Sequence, residues 1–169
     1  SLGLVGSEMC IRDSSKGVDC VSPENIGRAK RIDDGRYRYI ERVKSSFPNQ
    51  MRLDGLKVVI DCANGAGYRA APEVLWELGA EVVPVGVSPD GRNINLECGS
   101  TSPRIAAETV VAHGADVAIC LDGDGDRVLV IDEQGCPIDG DHFLGMIGSR
   151  WVKEDILIKN TLVATVMSN

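Results

Sequence analysis

The sequence lacks several features that would point to particular classes of protein. No apolar run approaches the roughly 18 to 20 residues that a membrane-spanning helix needs. None of the six cysteines forms a CxxC pair, and the two histidines, His113 and His142, do not form an HxxxH pair, so the common zinc motifs are missing. The net charge of -7 argues against a nucleic-acid or anionic-membrane partner. Scattered cysteines also argue against a disulfide framework, and we expect a reduced, cytoplasmic compartment.

The beginning of the chain differs in pattern from the rest. Residues 1–14 show no period, no helix cap and no signal-peptide layout, and we expect a non-native or disordered lead-in. Ser22 as a cap and Pro23 at the first helical position predict a short helix through the residues IGRAKRI. Apolar residues at three- and four-residue steps predict a second helix from about Gly35 to Phe47, which Pro48 ends.

From residue 56 onward, strand-like and helix-like patterns alternate. This alternation predicts an α/β fold, a three-layer α/β/α sandwich with a mixed, mostly parallel sheet. Pro84 favours an edge position for its strand, and glycines at 79 and 114 are expected to end two helices. Turns are expected at NGAG (64–67), at QG (134–135) and at DG (139–140). The predicted strands are 56–62, 80–87, 116–122, 127–133 and 161–168, and the predicted helices are 68–79, 103–114 and 141–154.

Three aspartates crowd the turn between two predicted strands, in the string ICLDGDGDRVLVID. In a regular strand, residues two apart are about 6.6 Å apart, too far for one small cation to contact all three carboxylates. The intervening glycines permit positive φ, so the loop can curl and direct Asp122, Asp124 and Asp126 inward. Three hard oxygen ligands suit Mg²⁺ best.

Two other interpretations of these aspartates compete with a magnesium site. An EF-hand would place them at positions 1, 3 and 5 with Glu133 at position 12, but position 6 is Arg127 where the motif needs glycine, and the flanks are strands. A solvated Gly-Asp hairpin turn is the plainer alternative.

Two neighbouring features, Arg127 and the NGAG turn, each permit two interpretations. Arg127 could hold a phosphate or neutralise transition-state charge, or it could simply offset the charge of the aspartates. The glycine turn NGAG follows a strand and precedes a helix, so it could cradle a phosphate, although a structural turn is the favoured interpretation.

The string DGDGDR at residues 122–127 resembles the metal-binding loop of the α-D-phosphohexomutases. Within that family, several strings resemble the bacterial phosphoglucosamine mutase branch, and the similarity covers about residues 22–169. The phosphomannomutase/phosphoglucomutase branch would carry an FPNH-type string where this chain has NIN. Ser102 stands where the branch usually has histidine. The matching strings are GLKVVIDCANGAGY, ELGAEV, SPDGRNINLECGSTSP, IDGD and NTLVATVMSN.

The resemblance implies an enzyme that interconverts glucosamine 6-phosphate and glucosamine 1-phosphate for cell-wall precursor synthesis. It implies Mg²⁺ held by Asp122, Asp124 and Asp126, and a catalytic Arg127 that helps to orient a phosphoserine. The family has four domains, and the phosphoserine, sugar-reading and phosphate-binding strings of domains one, three and four do not occur in this sequence. The isolated chain is therefore expected to be inactive. The implied division is the end of domain one with a linker helix (15–50), domain two (51–138) and the opening of domain three (139–169).

Other functions stay open at this point. The chain alone could be a non-catalytic divalent-cation-binding module, or it could belong to a phosphohexomutase of the phosphomannomutase/phosphoglucomutase type. A haloacid-dehalogenase-like phosphatase would need a DxDx[TV] motif on its first strand, but the first strand here ends in a single aspartate, Asp61.

Overall fold

The computed structural model describes residues 21–165 and residue 168. The chain divides into two compact units, Ser1–Asp33 and Asp34–Asn169. The expected lead-in, residues 1–14, lies outside the described residues. Among the described residues, no helix has the length and apolar character needed to cross a membrane.

The described part of the first unit contains one short 3-10 helix, Pro23–Asn25. The predicted helix through IGRAKRI is wrong, because residues 26–32 form neither helix nor strand. Gly27 weakens a helix at this point, and residues 21–33 are all exposed. Because a short helix depends on burying one apolar face, this segment has nothing to hold it helical. Ser22 makes no capping bond.

The second unit contains a five-stranded sheet with the strand order β2-β1-β3-β4-β5. Strand β1 runs parallel to β2 and β3, whereas β4 runs antiparallel to both of its neighbours. The predicted mixed, mostly parallel sheet is therefore confirmed. Strand β2, which contains Pro84, lies at the predicted edge. The strands are β1 Lys57–Asp61, β2 Glu81–Val85, β3 Val117–Leu121, β4 Val128–Asp132 and β5 Pro137–Ile138.

In the part of the chain that the structure describes, four α-helices accompany the sheet. They are α1 Gly35–Lys44, α2 Ala70–Glu77, α3 Arg104–His113 and α4 Gly140–Lys153. The helix predicted from Gly35 is confirmed, although it ends at Lys44. Helix α1 packs on α2, where Lys44 pairs with Glu77 and Arg36 lies 3.5 Å from Glu73.

The two faces of the sheet carry different helices. Val59 of β1 is paired with Ala118 of β3, and both belong to the buried cluster that contains Ala106 and Val110 of α3. Successive residues of a strand point to opposite faces, so Ile60 faces the other side, where it lines a cavity together with residues of α1 and α2. Each fully buried valine or isoleucine contributes roughly 1.5 to 3 kcal/mol to the free energy of unfolding. The three-layer α/β/α prediction is confirmed.

The C-terminal part of the described chain departs from prediction in three places. The expected turn at residues 139–140 is instead the start of α4, and the Asp139 side chain caps it by accepting a bond from the Asp141 N–H at 3.0 Å. The two-residue strand β5 was not predicted. The strand predicted for residues 161–168 is wrong over 161–165, which form no strand. A strand needs a neighbour for its backbone hydrogen bonds, and none lies beside this segment among the described residues.

Candidate metal centre

The aspartate loop lies at the carboxyl end of the parallel part of the sheet. From β1 the chain passes through α2 to β2 on one side, and from β2 it passes through α3 to β3 on the other side. The carboxyl ends of β1 and β3 therefore meet where the direction of the strand order changes. In open α/β sheets, ligands bind at such a switch point. Asp122 directly follows β3 at this place.

The three aspartates come together as predicted. One carboxylate oxygen from each of Asp122, Asp124 and Asp126 lies within 4.8 Å of the others. Asp122 is only 2% exposed, whereas the other two are exposed. Gly125 has φ +75° and permits the curl of the loop. Gly123 does not have positive φ, so the expected reason for a glycine at that position is wrong.

Arg127 holds the buried carboxylate of Asp122. Its backbone N–H donates to Asp122 Oδ1 at 3.0 Å, and its Nε donates to Oδ2 at 2.9 Å. Its Nη2 also lies 2.8 Å from Oδ2, while the arginine side chain is 61% exposed. The charge-offsetting interpretation of Arg127 is therefore seen directly, and its catalytic role stays a prediction.

The pKa values of the aspartates differ because their surroundings differ. Burial by itself would raise the pKa of Asp122, but hydrogen bonds from the backbone and side chain of Arg127 outweigh it and lower that pKa to about 2. The pKa of Asp126 is raised by its hydrogen bond to Asp122 and by the nearby charges of Asp124 and Asp122. The repulsion among the three carboxylates therefore acts mainly on Asp126, which is exposed to solvent.

The donor set fits a hard divalent cation. Three carboxylates on one short loop offer only oxygen ligands, which such cations prefer, and two of the three are open to solvent. The loop lies between the strands β3 and β4, whereas the loop of an EF-hand lies between two helices. The burial of Asp122 also distinguishes the loop from a solvated surface turn.

The NGAG turn is not arranged as a phosphate cradle. The Asn64 N–H donates to Gly86 O at 2.7 Å, and the Gly65 N–H donates to Cys62 O at 2.8 Å. The Ala66 N–H donates to the carbonyl of Gly123 at 2.8 Å. These donors are satisfied within the protein, so the structural interpretation of the turn is the better one.

Sequence reasoning missed the supporting role of Asp61, the last residue of β1. Its side chain is 0% exposed. Its Oδ1 accepts from the Ala63 N–H at 2.9 Å and its Oδ2 accepts from the Gly99 N–H at 2.7 Å. Next to Gly99, the Ser100 N–H donates to Leu121 O at 2.9 Å. Asp61 therefore ties a distant loop to the strand ends beside the metal centre, and its only sequence signal was a lone aspartate closing an apolar strand.

Replacing Asp61 by asparagine should lower the free energy of unfolding by about 1 to 3 kcal/mol, the cost of leaving a buried polar group unpaired. Asparagine can accept with its one oxygen only, so its amide group would face either the Ala63 or the Gly99 N–H. Asp90→Asn is the matched control, because one oxygen of Asp90 accepts both of its backbone bonds, from Arg92 and Asn93. Urea unfolding of the variants measures the difference, and equal losses in the two would contradict the assigned role.

More than half of the chain matches a single protein-family model. Residues 37–135 match the family model described as phosphoglucomutase/phosphomannomutase, alpha/beta/alpha domain II. The chain belongs to this family. The predicted membership of the phosphohexomutases is thereby confirmed. The family also supports a metal cofactor in general terms, and the acidic triad could bind a metal.

Three similar curated proteins are each described as a phosphoglucosamine mutase. The chain is 68% identical over 155 residues to the phosphoglucosamine mutase of Roseobacter denitrificans, covering 92% of this chain and 34% of the relative. It is 69% identical over 153 residues to that of a Ruegeria species, covering 90% and 34%. The match to the protein of Cereibacter sphaeroides is 70% over 152 residues, with the same coverage of 90% and 34%. The chain thus spans about a third of the length of these curated relatives.

Solved structures agree on the fold. A phosphoglucomutase/phosphomannomutase family protein from Burkholderia thailandensis matches with a TM-score of 0.59 at 24% identity, over 71% of this chain and 26% of that one. An N-acetylglucosamine-phosphate mutase, a member of the alpha-D-phosphohexomutase superfamily, matches with a TM-score of 0.50 at 19% identity, over 66% and 24%. At these identities the likeness bears on the fold alone.

Proposed function

We propose that this chain is the metal-binding second domain, with flanking parts of the first and third domains, of a phosphoglucosamine mutase. Such an enzyme interconverts glucosamine 6-phosphate and glucosamine 1-phosphate, and it would act in the cytoplasm to supply a peptidoglycan precursor. The observation that carries the proposal is the cluster of three carboxylates within 4.8 Å at the sheet switch point, in a chain about 68% identical to proteins of that name.

The metal proposed for this centre is Mg²⁺, with Asp122, Asp124 and Asp126 as its protein ligands. Carboxylate oxygens favour hard cations, and Mg²⁺ keeps several positions for water or phosphate oxygens. When bound, the ion supplies positive charge that polarises a phosphoryl group and offsets the charge that develops during its transfer.

Arg127 is the catalytic residue of the proposal. Its side chain is 61% exposed and is held in place by Asp122. A guanidinium has five N–H donors, and the bonds from Nε and Nη2 to Asp122 use two of them. Further donors can therefore reach an oxygen of the phosphoserine or of the substrate phosphate, which a planar guanidinium recognises well. The phosphoserine itself, the sugar-reading loop and the phosphate-binding loop would come from domains one, three and four of the same polypeptide.

A chimera tests the proposal. Residues 22–165 would replace the matching segment of the phosphoglucosamine mutase of Roseobacter denitrificans, to which the chain is 68% identical. We expect the chimera to convert glucosamine 6-phosphate in the presence of Mg²⁺ and the bisphosphate primer, and we expect the isolated chain to form no product. Asp124→Asn in the chimera should lower kcat by at least about 100-fold, because several kcal/mol of charge stabilisation depends on the metal.

Glu108→Gln is the control within the chimera, because Glu108 is an exposed residue of α3 that pairs with the exposed Arg104 at 3.0 Å. A folded chimera that binds Mn²⁺ without turnover would favour the non-catalytic metal-binding module over the mutase. Clear turnover by the isolated chain would contradict the assignment of the phosphoserine to another domain.

A further inference from the structure

The NGAG turn after β1 lies directly against the aspartate loop (residues 122–126), which we call the metal loop here. The Ala66 N–H donates to the carbonyl oxygen of Gly123 at 2.8 Å. A methyl group added to Gly65 would lie 2.2 Å from that same oxygen and 2.6 Å from the Gly123 Cα. Because Gly123 is the residue that joins Asp122 to Asp124, this contact bears on two of the proposed metal ligands.

The backbone of Gly65 does not itself require glycine. Its φ of -107° and ψ of -160° are extended values, which any residue adopts without strain. The need for glycine at this position therefore comes from the close approach of Gly123 and not from backbone conformation. This separates Gly65 from Gly125, whose φ of +75° is in the left-handed region.

A second loop also lies close to Gly123. A methyl group on Gly123 would lie 2.5 Å from Ile94 Cδ1 and 3.0 Å from Asn95 Nδ2, so the loop after β2 also packs closely on this residue. Asn95 is fixed in turn, because its N–H donates to Ala63 O at 2.9 Å. Gly123 is therefore enclosed by two loops that are bonded to each other.

We propose that Gly65 is a positioning residue of the metal centre, whose missing side chain sets the location of Gly123 and thereby of the Asp122 and Asp124 carboxylates. The inference rests on the proposed metal-binding function. Non-bonded carbon–oxygen contacts are about 3.3 Å, so a side chain at residue 65 must displace the Gly123 carbonyl by about 1 Å. Metal and catalytic sites tolerate displacements of only about 0.5 Å.

Mn²⁺ titration of the chain measures the effect. Gly65→Ala should weaken Mn²⁺ binding by at least about tenfold, the usual effect of disturbing the groups that orient metal ligands. Gly67→Ala is the matched control within the same turn, because its added methyl would lie 3.1 Å from the movable Cδ1 of Leu121. We expect this variant to bind Mn²⁺ like the wild type. Titrations are made well below the melting temperature of each variant, so that a loss of stability alone does not alter the affinity.

The outcomes separate this inference from the function on which it rests. Absence of Mn²⁺ binding by the wild type overturns the metal function, and this inference with it. Binding by the wild type with equal affinity in a folded Gly65→Ala variant overturns the positioning role alone. Equal weakening by Gly65→Ala and Gly67→Ala also overturns it, because the effect would then belong to the turn in general.

Amide hydrogen exchange on the wild type tests the same coupling if Gly65→Ala does not fold. The Ala66 N–H bonds to the metal loop, whereas the Leu53 N–H bonds to Leu78 O at 2.9 Å, with both residues outside that loop. Mg²⁺ should slow exchange at Ala66 more than at Leu53. An unchanged ratio of the two exchange rates would contradict the proposal.

Discussion

Asp124→Asn will weaken the binding of Mg²⁺ or Mn²⁺ to this chain by roughly 100-fold, because ligand charge is the main determinant of affinity in all-oxygen sites. Asparagine keeps the size of the side chain but offers one neutral oxygen. Of the other two ligands, Asp122 already accepts bonds from Arg127, so it cannot make up the loss. The wild-type affinity is itself expected to be weak, because Mg²⁺ also takes phosphate oxygens as ligands and the proposed phosphoserine, which would supply one, belongs to another domain. Titration calorimetry measures both proteins.

Glu108→Gln provides the matched control for this result. It removes the same unit of charge from an exposed carboxylate on α3, where Glu108 lies 3.0 Å from Arg104. Its affinity should equal that of the wild type, since exposed charges away from a site are largely screened by salt. Equal binding by Asp124→Asn and the wild type would remove the assignment of the metal centre.

A chain shortened to end at Ile138 will be more soluble and more monomeric than the full 169 residues, with metal binding intact. Among the described residues, none from α4 or from the segment after it belongs to the buried cluster of the sheet. Ending at Ile138 keeps β5 paired with β4. The deleted segment exposes several large apolar side chains, and exposed apolar surface promotes association. Their exposed fractions are 60% for Met146, 42% for Trp151, 49% for Val152, 81% for Ile158 and 85% for Val163.

Light scattering and thermal melting measure this prediction. We expect the melting temperature to stay within about 4 to 8 °C, the shift that corresponds to about 1 kcal/mol in a domain of this size. A chain ending at Asp155 keeps α4 and serves as the control, which should still associate. If the chain ending at Ile138 unfolds instead, α4 belongs to the same core as the aspartate loop, and the proposed domain boundary between residues 138 and 139 is wrong.

Features of the fold that depend on local pattern could be predicted from the sequence. Unbroken apolar runs located β1 and β3, because strands buried on both faces are apolar throughout. Pro84 located the edge strand, since proline cannot donate a ladder hydrogen bond. The aspartate cluster could also be predicted from local pattern, because all three aspartates lie within one short loop.

Features that depend on distant partners could not be predicted. The segment 161–165 has the composition of a strand but no neighbouring strand among the described residues. The short β5 exists only because Ile138 pairs with Val130. Gly65 looked like an ordinary turn residue, since its contact with Gly123 arises only when β1 and β3 lie side by side.

The ion pair between Arg127 and Asp122 bears on whether the chain folds before or after it binds a metal ion. In small zinc domains the free energy of metal binding is needed for folding, so the metal-free chain stays unfolded. Here the buried carboxylate already has a counter-charge from its own chain, at 2.8 Å. Folding can therefore be completed before any ion is captured. An ion bound at the proposed site would then be an exchangeable component, which a chelator would remove and added Mg²⁺ would restore while the framework of the site persists.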